Sequence, residues 1–213
     1  MVGGPELSDP RDCLCYLVVG EQARVLIDCG AGPSAEAILE LAAQAGGRAP
    51  THLLLTHAHI DHAGGAATVK SLTGCQVLLH ELEAPTLAQG DSERSAAGWY
   101  GLRLEPLEAD RLVGDGDQVV LDEDKVLHLV HTPGHTPGSL VAWGEFGGKR
   151  VLFGQDIHGP FYPAFGSDLG LWRESMQRLL ELGADILAEG HYGIFKPAQE
   201  VASFIEGQLR AHQ

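Results

Sequence analysis

Short apolar runs bounded by turn residues alternate along this chain with longer stretches of helical periodicity. Residues 15–19 and 24–28 read as strands. A helical pattern over 35–45 follows, introduced by Pro33 and Ser34. The order continues with a strand at 53–55, a helix over 66–72 and a strand at 76–79, and the second half adds strands at 118–121, 126–130, 139–143, 150–153 and 186–188. Two late helices are predicted, one capped by Ser167 with Leu169, Trp172, Met176, Leu179 and Leu180 on one face. The other has Pro197 in its first turn, ahead of Val201, Phe204, Ile205 and Leu209. Neither half carries enough helix to cover both faces of its own sheet, so the pattern predicts an α/β fold of two sheets with helices outside them.

The least regular stretch, residues 89–105, contains Trp99 and Tyr100 and is placed either as a linker or as a lid over a site. At 213 residues the chain has the size of one large domain, and residues 1–213 are assigned to it. Its 29 acidic and 14 basic residues give a formal charge of −15, which argues against nucleic acid as a partner. No apolar run approaches the roughly 20 residues needed to cross a bilayer, and the first residues lack a signal-peptide pattern, so a cytoplasmic protein without membrane contact is expected. Cys13, Cys15, Cys29 and Cys75 form no C-x-x-C pair and read as reduced, small buried hydrophobes.

The chemistry is concentrated at Thr56-His57-Ala58-His59-Ile60-Asp61-His62, directly after Leu53-Leu54-Leu55. Three imidazoles and a carboxylate within six residues, at the end of a strand and facing one space, suit zinc and related divalent ions and supply ligands for more than one of them. A solvated polar loop is the competing reading. Single ligand types recur downstream, each after an apolar run: His135 in Thr132-Pro133-Gly134-His135-Thr136-Pro137-Gly138-Ser139, Asp156 after Val151-Leu152-Phe153, and His191 after Ile186-Leu187-Ala188. His158 lies two residues beyond Asp156 and points to the same side if the backbone is extended. Tyr162 and Tyr192 are candidates to donate to a substrate carbonyl, with packing as the competing role. Ser139 has no obvious base and is assigned to the turn.

With these residues in place, the chain resembles the metallo-β-lactamase fold superfamily, whose signature is H-x-H-x-D-H followed by separate His, Asp and His loops. The resemblance implies a four-layer αββα sandwich of two mixed sheets flanked by helices. It also implies a dinuclear centre in which His57, His59 and His135 bind one metal, Asp61, His62 and His191 bind the other, and Asp156 bridges them. Asp28 resembles the early Asp of this fold that supports a ligand His. The T-P-G-H-T-P-G-S turn is similar to that of glyoxalase II thioesterases, although the segment after Asp156 departs from theirs. Homoserine-lactone lactonases usually carry a Tyr where this chain has Gly159, with Tyr162 nearby. The β-lactamase branch with Cys in place of Asp156 and the diiron branch with Glu in place of His59 fit less well.

The implied activity is that of a metal-dependent hydrolase acting on a small-molecule substrate, a thioester or a lactone, with Asp61 moving a proton. Two zinc ions are expected, the same ligands also accepting iron or manganese. A mononuclear iron persulfide dioxygenase is the alternative, since that branch is similar to glyoxalase II and uses the same first three histidines. A non-catalytic metal-binding domain is the third reading. A homodimer is compatible with the fold.

Overall fold

The central strands of this chain bury both faces, and the parity of each position decides which layer it enters. The structure, a computed structural model, describes residues 1–212. In chain order its strands and helices are β1 Tyr16–Val19, β2 Arg24–Ile27, α1 Ala35–Gly46, β3 His52–Leu54, α2 Ile60–Ala63, α3 Ala66–Thr73, β4 Gln76–His80, α4 Ala84–Gln89 and β5 Arg111–Val113. They continue as β6 Gln118–Val120, β7 Val126–His131, β8 Leu140–Phe146, β9 Lys149–Gly154, α5 Leu169–Leu182, β10 Ile186–Glu189, β11 Ile194–Phe195 and α6 Ala198–Ala211. The first sheet has the order β1-β2-β3-β4-β5 and the second β11-β10-β9-β8-β7-β6. Both are mixed: β1 runs antiparallel to β2 while β2 to β5 are parallel, and β9 and β10 form the parallel pair of the second sheet.

Val25, Ile27, Leu54 and Leu78 of the first sheet meet Leu127, Leu129, Leu140 and Ala142 of the second, forming the apolar layer between the sheets. Their strand neighbours Leu26, Leu53, Val77 and Leu79 point the other way, onto Ile38 and Ala42 of α1 and Val69 of α3. On the opposite side Val141, Leu152 and Leu187 pack on Trp172, Met176 and Leu179 of α5 and Val201 and Ile205 of α6. Period-two alternation with both faces covered produces continuous apolar runs instead of an apolar-polar alternation, and gives four layers in the order helix, sheet, sheet, helix. Among the described residues no helix is long and apolar enough to cross a membrane.

Several details differ from the sequence expectation, among them the short helices α2 and α4, which the sequence pattern did not mark. The first strand begins at Tyr16, and Cys15 instead makes an isolated bridge to Gly3, although Cys13 and Cys15 are buried free thiols as expected. The cap of α5 is Asp168, whose carboxylate accepts from the amides of Gly170 and Leu171. Ser167 turns away to donate to the His135 carbonyl at 2.6 Å. Strands β5 and β11, three and two residues long, were not expected; each is an edge strand with few buried positions to mark it.

Candidate metal centre

The ligand-type side chains all leave the sheets at one edge. His57 follows β3, and His59 precedes the short helix α2 that carries Asp61 and His62. His135 lies in the turn between β7 and β8, Asp156 follows β9 and His191 follows β10. Carboxyl ends of parallel strands are where open α/β sheets place their sites, because the connections there can converge without interrupting the sheets. Gly134 lets the His135 turn lie against α5: its φ is +143°, and a Cβ there would stand 2.3 Å from the Trp172 Cβ.

Asp156 is the centre of the arrangement. Its Oδ2 lies 3.3 Å from His135 Nε2 and 3.8 Å from His57 Nε2. Its Oδ1 lies 3.0 Å from His191 Nε2 and 3.1 Å from His62 Nε2. His59 Nδ1 is 2.9 Å from His135 Nε2, and Asp61 Oδ2 is 3.5 Å from His191 Nε2. Two groups result that could each hold an ion, His57, His59, His135 and Asp156 in one and Asp61, His62 and His191 in the other. Zinc binds imidazole nitrogen at about 2.0–2.1 Å, which sets tetrahedral ligand atoms roughly 3.3 Å apart. The observed separations bracket that value. His57 Nε2 and Asp156 Oδ1 are buried without an aligned hydrogen bond despite these near neighbours, the pattern of atoms that share a cation and not a proton.

Hydrogen bonds away from the centre orient the rings. His62 Nδ1 donates to Asp28 Oδ2 at 2.7 Å and His135 Nδ1 donates to the Pro160 carbonyl at 2.8 Å, so each Nε2 lone pair faces inward. Asp28 is fully buried with a left-handed φ of 55°, and it also accepts from Thr56 N and Oγ1, each at 2.8 Å, and from Gln155 Nε2 at 2.7 Å. Two further buried carboxylates, unanticipated from the sequence, tie loops together. Glu83 accepts from the amides of Ala58 at 3.1 Å and Gly138 at 2.9 Å, joining the His57 and His135 turns. Glu189 accepts from His158 Nδ1 at 2.6 Å and from the amides of His191 and Tyr192 at 2.6 and 2.8 Å. A charged residue closing the apolar run Ile186-Leu187-Ala188 was a signal for Glu189; Glu83 had none, since its partners lie on other loops.

Burial pushes His57 and His59 well below the ordinary histidine range and His135 down to about 4, so these rings are neutral at physiological pH. Burial also disfavours a charged His62, but the carboxylates of Asp156, Asp61 and Asp28 outweigh it and raise that ring well above its usual value. His191 is raised in the same way, burial being outweighed chiefly by Asp156. Burial pushes the Asp61 carboxyl up, whereas His62 and His191 overcome the burial of Asp156 and hold it low.

The centre opens into a cleft of about 240 Å³ lined by His59, Asp61, Trp99, Tyr100, His158 and Phe165, among others. His158 is therefore in the cleft. Tyr162 and Tyr192 are not among its lining residues: Tyr162 packs on Trp99 and Phe165, and Tyr192 on His158 and Phe204. Ser139 Oγ accepts from the Thr136 amide at 3.1 Å, a turn contact.

Residues 8–191 match the family model described as the metallo-beta-lactamase superfamily. An acyl-coenzyme A thioesterase, MBLAC2, of Gallus gallus is 31% identical over 210 residues, covering 84% of this chain and 72% of that protein. A hydroxyacylglutathione hydrolase of Rhodospirillum rubrum is 33% identical over 112 residues, covering 53% of this chain and 35% of that protein. Among solved structures, a class B3 di-zinc metallo-β-lactamase from an Alaskan soil metagenome superposes with a TM-score of 0.75 at 26% identity, covering 93% of this chain and 84% of that one. On the match across most of its length, the chain belongs to the metallo-β-lactamase superfamily and is a metal-dependent hydrolase.

Proposed function

We propose that this hydrolase uses two zinc ions to cleave a small thioester. The observation that carries the dinuclear reading is the division of Asp156, with Oδ2 toward His57 and His135 and Oδ1 toward His62 and His191. His57, His59 and His135 would hold one ion, Asp61, His62 and His191 the other, and Asp156 both. Ions so held supply a water acidified to a usable nucleophile and a Lewis acid for the carbonyl. The thioester reading rests on the two relatives above, an acyl-coenzyme A thioesterase and a hydroxyacylglutathione hydrolase.

The chain's own residues do the remainder. Asp61, on the His62 and His191 side of the centre, would accept a proton from the attacking water and return it to the departing thiolate. Asp28 and the Pro160 carbonyl hold His62 and His135 in one tautomer each, and Glu83 holds the His57 and His135 loops in register. His158, oriented by Glu189, faces the cleft as a side chain that contacts the substrate.

Elemental analysis of protein purified without chelator, followed by thioester and lactone panels, tests the reading. About two zinc ions per chain with thioester turnover is the expected result. Zinc-loaded protein inert toward both panels would overturn the hydrolytic assignment of substrate, and about one iron per chain with oxygen uptake on a persulfide would replace it by the dioxygenase.

A further inference from the structure

Trp99 stands at the mouth of the cleft with 63% of its surface exposed, although it packs edge-on against one aromatic ring and at a tilt against another. Its ring centroid lies 5.1 Å from that of Phe165 and 4.9 Å from that of Tyr162. Phe165 is 3% exposed and sits 4.3 Å from the ring of His59. Phe165 and Trp99, braced by Tyr162, thus form a continuous apolar wall from the metal-ligand shell out to solvent. Large apolar surface left exposed beside a polar cleft is costly unless something covers it. A purely structural clamp between the two loops would bury Trp99, and this one does not.

The wall is built from the two segments whose sequences are least regular. Trp99 belongs to the turn Ala97–Tyr100, entered through Ala96 in the left-handed region at φ 57°, and Phe165 to the turn Pro163–Phe165. An alanine held there while 5% exposed shows that the surrounding packing dictates the course of the turn. No Lys or Arg lines the cleft among the described residues, so an anionic group along the wall would find neither a guanidinium nor an ammonium to pair with.

We infer that Trp99 and Phe165, braced by Tyr162 packed against both, form an acyl subsite that selects thioesters with an uncharged apolar acyl group, aryl or medium-chain alkyl, over those with a short or carboxylate-bearing one. The inference rests on the thioesterase reading for its substrate, but the wall itself is testable without turnover. Aromatic walls gain from ring and alkyl contact, and a buried carboxylate without a partner is penalised.

The test uses acetyl, octanoyl, phenylacetyl and succinyl thioesters of one neutral thiol with zinc-loaded protein. It also uses the non-hydrolysable ketone analogue of the phenylacetyl compound, with CH2 in place of sulfur, followed by tryptophan fluorescence. We expect kcat/KM for the phenylacetyl and octanoyl substrates to exceed those for acetyl and succinyl by about tenfold or more. Trp99→Ala should shrink the phenylacetyl-to-acetyl ratio by about tenfold, with Trp99→Phe restoring most of it. The ketone should perturb the fluorescence of the wild type and, by calorimetric titration, bind Trp99→Ala at least about tenfold more weakly than the wild type. Binding of the ketone with no turnover of any thioester would reject the thioesterase reading and leave the subsite standing. Absence of ketone binding, a flat acyl profile, or an equal loss on all substrates in Trp99→Ala would overturn the subsite.

Discussion

Asp28 Oδ2 and His62 Nδ1 lie 2.7 Å apart with both side chains fully buried, and this contact sets which nitrogen of His62 faces the metal centre. Asn at position 28 tolerates the left-handed backbone found there, so Asp28→Asn removes the charge without straining the turn. The variant weakens the hold on the His62 tautomer and leaves donors from Thr56 and Gln155 competing for a poorer acceptor. Affinity for the ion on the His62 side should fall about 10- to 100-fold. Competition against a chromophoric chelator measures this, and an unchanged second affinity would show that Asp28 only braces the fold.

Zinc uptake should be pH-dependent on one side of Asp156 and nearly independent of pH on the other. His57, His59 and His135 are shifted down and stay neutral near pH 7, so they accept an ion without losing protons. His62 and His191 are shifted up by the surrounding carboxylates and keep protons above the ordinary histidine range, and an ion must expel those protons to bind. Raising the pH through their folded-state values therefore strengthens the second binding step, by up to about tenfold per unit for each proton released. Calorimetric titration in buffers of different ionisation enthalpy counts the protons. Equal release in both steps would contradict the assignment.

The motif was legible because its residues are local and its chemistry is dense. His57, His59, Asp61 and His62 need only one strand end and one helical turn to converge. His135, Asp156 and His191 could be picked out because each follows an apolar run that became a buried strand, β7, β9 or β10. Alternation also marked which sheet residues would be buried, but not which layer each would enter, since both faces are apolar. What stayed hidden depends on distant pairing. Glu83 meets Gly138 across 55 positions, and Trp99 meets Tyr162 and Phe165 only when two irregular segments fold over the same edge. The Ser167 and Asp168 neighbours are equally good cap types, and geometry alone selects Asp168, because the Ser167 hydroxyl is taken by the His135 carbonyl.

Glu83→Gln should loosen the link between the His57 and His135 loops. Both carboxylate oxygens accept backbone amides, from Ala58 and from Gly138, and the amide of Gln can offer an acceptor to only one of them. The remaining N–H would face an N–H in a buried site, at a cost of about 1–3 kcal/mol. For a chain of this size that corresponds to a fall in Tm of roughly 2–4 °C per kcal/mol. Thermal melts of the metal-free protein check the stability, and a wild-type melting curve for the variant would remove Glu83 from the account.

Asp61 and Asp156 are both buried carboxylates at the centre, yet their positions predict different losses on neutralisation. Asp61 reaches only the His62 and His191 side, 3.6 and 3.5 Å from their Nε2 atoms. Asp61→Asn should therefore retain about one tightly held zinc ion and lose the other, with turnover reduced by about a hundredfold or more because its proton transfer goes as well. Asp156 faces both sides, and Asp156→Asn leaves three neutral imidazoles on one side and takes from the other the carboxylate nearest His62 and His191. Both ions should then bind weakly, and dialysed protein should hold less than about one zinc per chain. Metal content after dialysis, read beside the far-ultraviolet circular dichroism of each variant, separates the two cases from simple unfolding. Retention of one tight ion by Asp156→Asn would mean that the carboxylate serves a single side and that the shared-ligand arrangement is wrong.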